Sequence, residues 1–135
     1  MLLVRDLMTE KVETVRPDDD LNEVYDLMDA RRIRHVPVIE EEELVGLVTQ
    51  RDLLRGALAE ATGLPMSAQR DLLRSVRVET VMIVEPTTVE PDTTLREAGE
   101  LLMEHKLGCL PVVEGNELVG ILTEADFVRH TLENL

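Results

Sequence analysis

The chain carries an internal duplication. Residues 4–56 align with residues 78–130 at a constant offset of 74 positions without a gap, and 19 of the 53 aligned positions are identical. A gapless match of this length indicates duplicated structural units. Two copies of a small unit usually pack as a pair, so we expect a ligand cleft between them.

Length and composition favour one shared core. A chain of 135 residues fits one compact domain or two closely packed halves, whereas a single repeat buries too little surface to be stable alone. Tyr25 and Phe127 are the aromatic residues of the chain. Leu, Val, Ile and Met must therefore fill the core.

The charge and the hydropathy pattern exclude several partners. A net charge of −14 repels nucleic acid and anionic membrane surfaces, although a small phosphate ligand needs only a local cationic pocket. The apolar runs are too short for a signal peptide or a membrane span. Cys109 has no second cysteine with which to form an intramolecular disulfide. We expect a cytoplasmic protein.

The apolar spacing predicts a β-α-β-β-α order in each repeat. A β-prone run at Val12–Val15 precedes a helix at about 20–32, whose twin runs from Thr94 to about Lys106 with Thr94 and Glu97 in a capping box. Two pairs of apolar runs then predict β-hairpins, each followed by a helix. These segments are Val36–Ile39, Leu44–Val48 and 50–60 in the first repeat, and Leu110–Val113, Leu118–Leu122 and 124–132 in the second.

The predicted boundaries are 1–62 for the first repeat, 63–77 for a helical linker and 78–135 for the second repeat. Within the linker, Ser67–Ser75 is expected to be helical with Ser67 as the N-cap. The acidic run Glu40–Glu43 has the composition of a cation site, but adjacent residues in a turn do not converge, which favours a solvated hairpin tip.

A Thr-x-x-Asp pattern recurs where a strand gives way to a helix, at Thr49 and Asp52 and again at Thr123 and Asp126. Free backbone N–H groups at such a place attract anions, a Thr hydroxyl can donate to phosphate, and an Asp can accept from both hydroxyls of a sugar. The alternative is structural, because Thr is a good N-cap and Asp complements the helix dipole. The spacing alone does not separate the two interpretations.

These motifs, taken together and in order, resemble the cystathionine-β-synthase (CBS) domain, which typically occurs as a tandem pair called a Bateman module. The resemblance covers nearly the whole chain outside the linker. The matching segments are Leu7-Met8-Thr9, Thr14–Asp18, Arg34–Val38 and Leu44–Leu53 in the first repeat, and Val81-Met82, Thr88–Asp92, Leu110–Val113 and Leu118–Phe127 in the second.

The resemblance implies a binding site for an adenosine derivative, such as AMP, ADP, ATP or S-adenosylmethionine, as a regulatory ligand rather than a required cofactor. By analogy with the family, Asp52 and Asp126 hold the ribose hydroxyls, and Thr49 and Thr123 contact phosphate. The base would lie against apolar side chains: Val12, Val36 and Val38 in one site, and Pro86, Leu110 and Val112 in the other.

The two sites differ in their cations. Arg34, His35 and Arg51 of the first repeat are replaced by Gly108, Cys109 and Ala125 in the second. The two arginines are candidates to neutralise a phosphate, and pairing with surface carboxylates is the alternative. We therefore expect the first site to take the more anionic ligand and the second to be weaker or empty.

No catalytic constellation is evident. His35, His105 and Cys109 share no metal-ligand spacing, and packing roles are favoured for them. The expected fold is α+β, with two β-α-β-β-α repeats packed sheet to sheet about a pseudo-twofold axis. The expected protein is a non-enzymatic ligand sensor that forms a homodimer and acts on an effector protein, and the alternative is a ligand-free dimerisation scaffold.

Overall fold

The structure, a computed structural model, describes residues 1–55 and 63–135. It combines helices with antiparallel hairpins, which confirms the α+β class. The elements of the first half are α1 (Val4–Leu7), α2 (Leu21–Arg31), β1 (His35–Glu40), β2 (Glu43–Thr49) and α3 (Gln50–Leu53). Those of the second are α4 (Met66–Arg74), a 3₁₀ helix (Val78–Thr80), β3 (Ile83–Val84), α5 (Leu95–Glu104), β4 (Cys109–Glu114), β5 (Glu117–Thr123) and α6 (Glu124–Glu133).

Side-chain caps fix the starts of the two long amphipathic helices. The Oδ1 atom of Asp20 accepts a hydrogen bond of 3.0 Å from the backbone N–H of Glu23, and Thr94 Oγ1 accepts one of 3.1 Å from Glu97. Each bond satisfies an N–H that a helix start otherwise leaves without a partner. The predicted starts of α2 and α5 are confirmed to within one residue.

Two local predictions were wrong. The run Val12–Val15 forms no full strand, because Val15 alone makes a bridge, parallel to Val38. The linker helix begins at Met66 with Pro65 in the cap position, so Ser67 lies inside its first turn and is not the N-cap. The helix predicted at 50–60 is described as far as Arg55, and its remainder lies outside the described residues.

The chain folds into two compact units whose segments interleave along the sequence. The first-repeat unit comprises residues 13–41 and 45–85, and the second-repeat unit comprises residues 1–12, 42–44 and 86–135. The predicted boundaries at 1–62, 63–77 and 78–135 describe the duplication along the sequence and stay a prediction.

Each unit therefore completes its core with the opening segment of the other repeat. Val4, from the N-terminus, is fully buried among the apolar side chains of the second-repeat unit. Leu73 of the linker and Val78, the first residue of the second repeat, are buried in the first-repeat unit. Burial of one such side chain stabilises a fold by about 1.5–3 kcal/mol, so each repeat depends on chain from outside itself.

The identical glycines of the two repeats lie where these opening segments cross a strand. A Cβ on Gly46 would stand 2.5 Å from Sδ of Met82 and 3.1 Å from the carbonyl oxygen of Ile83. On Gly120 it would stand 2.8 Å from Sδ of Met8 and 3.1 Å from the Thr9 carbonyl. A side chain at either glycine would push the opening segment away from the strand.

The linker helix α4 is tied to α2 by Arg70. Its Nη1 donates to Asn22 Oδ1 at 2.9 Å and to Asp26 Oδ1 at 2.8 Å, and its guanidinium carbon lies 5.5 Å from the centre of the Tyr25 ring. The guanidinium is planar, charged and able to donate in several directions, and it fixes α4 against α2.

The turn between β1 and β2 contains two non-glycine residues in the left-handed region, Glu41 at φ 52° and Glu42 at φ 70°. A left-handed conformation costs an ordinary residue roughly 1–2 kcal/mol. Asn followed by Gly is the pair best suited to a two-residue turn of this kind. We expect the double substitution Glu41→Asn, Glu42→Gly to raise the free energy of unfolding by about 1 kcal/mol, measured by urea denaturation.

The same substitution removes two charges from an acidic turn. The double variant Glu41→Gln, Glu42→Gln removes those charges and keeps the unfavourable backbone, so it should gain less than the Asn-Gly variant. An equal gain in both variants would assign the effect to charge repulsion and contradict the backbone explanation.

Candidate functional site

The first Thr-x-x-Asp pattern forms a junction between β2 and α3, called the first junction (Thr49–Asp52). The backbone N–H of Thr49 donates to Asp52 Oδ2 at 3.0 Å, and the Thr49 hydroxyl donates to the same oxygen at 2.8 Å. The backbone N–H of Asp52 returns a bond of 3.2 Å to Thr49 Oγ1. The capping role considered from the sequence is thus present, and it holds the Asp52 carboxylate at the strand end.

The second junction (Thr123–Asp126) lies between β5 and α6 and repeats the two bonds from Thr to the Asp carboxylate. Asp126 Oδ2 accepts from the backbone N–H of Thr123 at 2.8 Å and from its hydroxyl at 3.2 Å. Here the other oxygen is also engaged, because Nη1 of Arg129 donates to Asp126 Oδ1 at 3.0 Å. The Asp126 side chain is only 5% exposed.

The residue just before the first strand of each hairpin, β1 or β4, lies beside the corresponding junction. The backbone N–H of Gln50 donates to the Arg34 carbonyl at 2.8 Å, and that of Glu124 donates to the Gly108 carbonyl at 3.1 Å. Cys109 pairs directly with Thr123 across β4 and β5. The structure therefore brings Arg34 and its neighbour His35 together with the first junction, as expected from their positions in the repeat.

Arg34 and Arg51 are exposed. Neither forms an ion pair within 4.0 Å with a carboxylate of residues 1–55 or 63–135. The surface ion pair considered as the alternative role is thus not formed with any described acid. The contact of either guanidinium with a phosphate stays a prediction.

The predicted base-contact side chains are mostly enclosed by the protein itself. Val36, Val38, Leu110 and Val112 have no exposed surface and belong to the two cores. Val12, in the second-repeat unit, and Pro86 are half-buried. Successive side chains of a strand point to opposite faces, so the neighbours on the other face of β1, Pro37 and Ile39, are candidates that sequence reasoning did not single out.

A cavity of about 350 Å³ opens in the first-repeat unit between α2 and the start of α3. Its lining includes Tyr25, Arg32, Arg34, Gln50, Leu53 and Leu54. Arg34 is the predicted site residue that reaches it, whereas Thr49 and Asp52 do not line it. The cavity therefore adjoins the first junction at Gln50 and Arg34.

The structure assigns Cys109 to packing. Its side chain is 3% exposed, and burial raises the pKa of the thiol to about 12. A thiol held in its neutral form is a poor nucleophile and a poor metal ligand. Within the described ranges, no group of three His, Cys, Asp or Glu side chains is placed to hold a metal ion.

Arg129 is the residue at the junctions that sequence reasoning missed. The sequence feature that could have indicated it is the separation of three positions between Asp126 and Arg129 on a predicted helix, because side chains at this spacing can form an ion pair. The same separation joins Asp52 to Arg55, the equivalent of Arg129 in the duplication. Arg55 is exposed and forms no ion pair with Asp52 in the described part of the chain.

Comparison with known proteins places the whole chain in one family. The model of the CBS domain matches twice, over residues 4–59 and 78–133. The chain is 31% identical to the CBS domain-containing protein YhcV of Bacillus subtilis over 134 residues, which are 99% of this chain and 89% of YhcV. No helix among the described residues is both long and apolar enough to cross a membrane.

Two solved structures share the fold. AcuB from Vibrio cholerae superimposes with a TM-score of 0.84 at 36% identity, covering 99% of this chain and 93% of AcuB. CBSX2 from Arabidopsis thaliana, solved in complex with AMP, superimposes with a TM-score of 0.83 at 30% identity, covering 99% of this chain and 98% of CBSX2. With the family model matched in both repeats and the fold shared along the whole length, this chain belongs to the CBS domain family as a tandem CBS pair.

Proposed function

We propose that this protein is a regulatory sensor that binds an adenosine ligand at the first junction and acts on a partner protein. The observation that carries the proposal is the Asp52 carboxylate, held by Thr49 at the end of β2 beside Arg34. A carboxylate accepts hydrogen bonds from both hydroxyls of a ribose, and a nearby guanidinium suits a phosphate.

The bonds of the first junction leave room for such a ligand. All hydrogen bonds that Asp52 accepts from described residues fall on Oδ2, and the side chain is half-buried. Oδ1 is thus the oxygen that would accept from the ribose. Arg34 and Arg51, exposed in a chain of net charge −14, are the local cations that would offset the charge of a phosphate.

The AMP complex of CBSX2 supports the ligand class, because that protein shares the fold over its whole length with this chain. AMP is therefore the first ligand to test, and ADP, ATP and S-adenosylmethionine are the related candidates. Arg34 and Arg51 have no cationic equivalent in the second repeat, which supports the expectation that the first junction binds an anionic ligand more tightly.

Titration calorimetry with AMP tests the site. Replacing Asp52 by Asn keeps an oxygen for the Thr49 cap and removes the charged acceptor. A hydrogen bond to a charged group contributes about 1.5–3 kcal/mol, so we expect Asp52→Asn to weaken AMP binding about 10- to 100-fold. Asp126→Asn should weaken it much less.

Asp71→Asn is the matched control, because it removes the same charge from a side chain that is 78% exposed on α4. It should leave AMP affinity unchanged. A larger loss from Asp126→Asn than from Asp52→Asn would contradict the assignment to the first junction. Wild-type protein that binds none of the four ligands would favour the alternative function, a ligand-free dimerisation scaffold.

We also propose that the protein forms a homodimer through the outer face of α6. Val128 is 59% and Leu132 65% exposed, one helical turn apart, and Met103 on α5 is 83% exposed. In a twofold interface each residue contributes twice, which makes a second copy of the same surface a suitable cover for this apolar stripe.

The oligomeric state tests this surface. We expect the wild-type protein to be dimeric by light scattering and the Val128→Asp, Leu132→Asp variant to be monomeric, with dimer affinity lowered at least about 100-fold because four apolar side chains are lost. Leu64→Asp with Met66→Asp adds the same charges at other exposed apolar positions and should leave the dimer intact. A dimer that persists in the α6 variant would exclude this face.

A further inference from the structure

We propose that Arg129 closes the second junction to ligand, so that the protein takes up its adenosine ligand at the first junction alone until the Arg129–Asp126 ion pair opens. This inference rests on the proposed function, because it assumes that a Thr-x-x-Asp junction can hold a ribose. It makes Arg129 the residue that determines how many ligands the chain binds.

Both oxygens of the Asp126 carboxylate already accept hydrogen bonds from the protein. Oδ2 accepts two hydrogen bonds from Thr123, and Oδ1 accepts from the guanidinium of Arg129 at 3.0 Å. With 5% of the side chain exposed, solvent reaches the carboxylate poorly. Because the guanidinium of Arg129 covers Oδ1 of this nearly buried carboxylate, a ribose hydroxyl that approaches Oδ1 has to compete with Arg129 for it.

Arg129 lies at the surface and is not part of the core. Its side chain is 62% exposed, so its guanidinium can move into water when the ion pair opens. Oδ1 of Asp126 would then accept no hydrogen bond from the described residues, as is the case for Oδ1 of Asp52. The conformation of the Arg129 side chain therefore determines whether Oδ1 of Asp126 is available to a ligand.

The duplication supplies the comparison that identifies this role. Arg55 and Arg129 are identical residues at equivalent positions, and both lie three residues after the junction Asp. Arg129 pairs with its Asp, whereas Arg55 forms no ion pair with Asp52 among the described residues. The two junctions thus differ in the state of the same arginine as well as in Arg34 and Arg51.

Titration calorimetry with AMP, counting ligands bound per folded chain, tests the inference. We expect the wild-type chain to bind at a single site and Arg129→Gln to bind twice as much AMP. The gain should disappear in the Arg129→Gln, Asp126→Asn double variant. Arg55→Gln, the equivalent change in the first repeat, should leave the stoichiometry unchanged.

Arg129→Met serves as a second variant that keeps the long aliphatic stem, and its melting temperature shows that the chain is folded when it is titrated. It should also double the bound AMP. Wild-type protein that already fills both junctions, or variants of Arg129 that still bind at one site or lose affinity, would overturn the role of Arg129 while leaving the proposed function standing. Absence of AMP binding in wild-type and variant proteins alike would overturn both.

Discussion

The fold depends on the burial of opening segments that each repeat receives from outside itself. Val4 fills the core of the second-repeat unit, and Leu73 with Val78 fills that of the first. Gly46 and Gly120 permit the close crossing of these segments over the strands. A side chain at either glycine would therefore weaken the contact that closes a core, which explains why both copies keep a glycine there.

The hydrogen bonds of each junction have two roles. The Thr and Asp of each junction cap a helix through backbone and side-chain hydrogen bonds, and this capping also fixes a carboxylate at the end of a strand. The structural and the functional interpretations of the pattern are therefore compatible. What separates the junctions is the rest of their surroundings: exposed cations at Arg34 and Arg51 beside one, and the Arg129 ion pair on the other.

Local patterns made much of this predictable. The strands followed from their apolar runs, and the starts of α2 and α5 followed from Asp20 and Thr94, because capping is decided within four residues. The exchange of opening segments could not be predicted, since two similar repeats offer equivalent surfaces and periodicity does not tell which copy a segment covers. The ion pair of Arg129 could not be predicted either, because Arg55 has the same spacing from Asp52 and forms no such pair among the described residues. The run at Val12–Val15 has the composition of a strand, but among the described residues only Val15 pairs, in its bridge to Val38.

The central claim is that Asp52 receives the ribose of an adenosine ligand. A crystal structure of the protein grown with saturating AMP tests it most directly. The account predicts the ribose hydroxyls at hydrogen-bond distance from the Asp52 carboxylate, about 2.5–3.0 Å between oxygens, with the phosphate toward Arg34 or Arg51. AMP bound away from the first junction would contradict it, as would a first junction that stays empty at a concentration of AMP that fills another site.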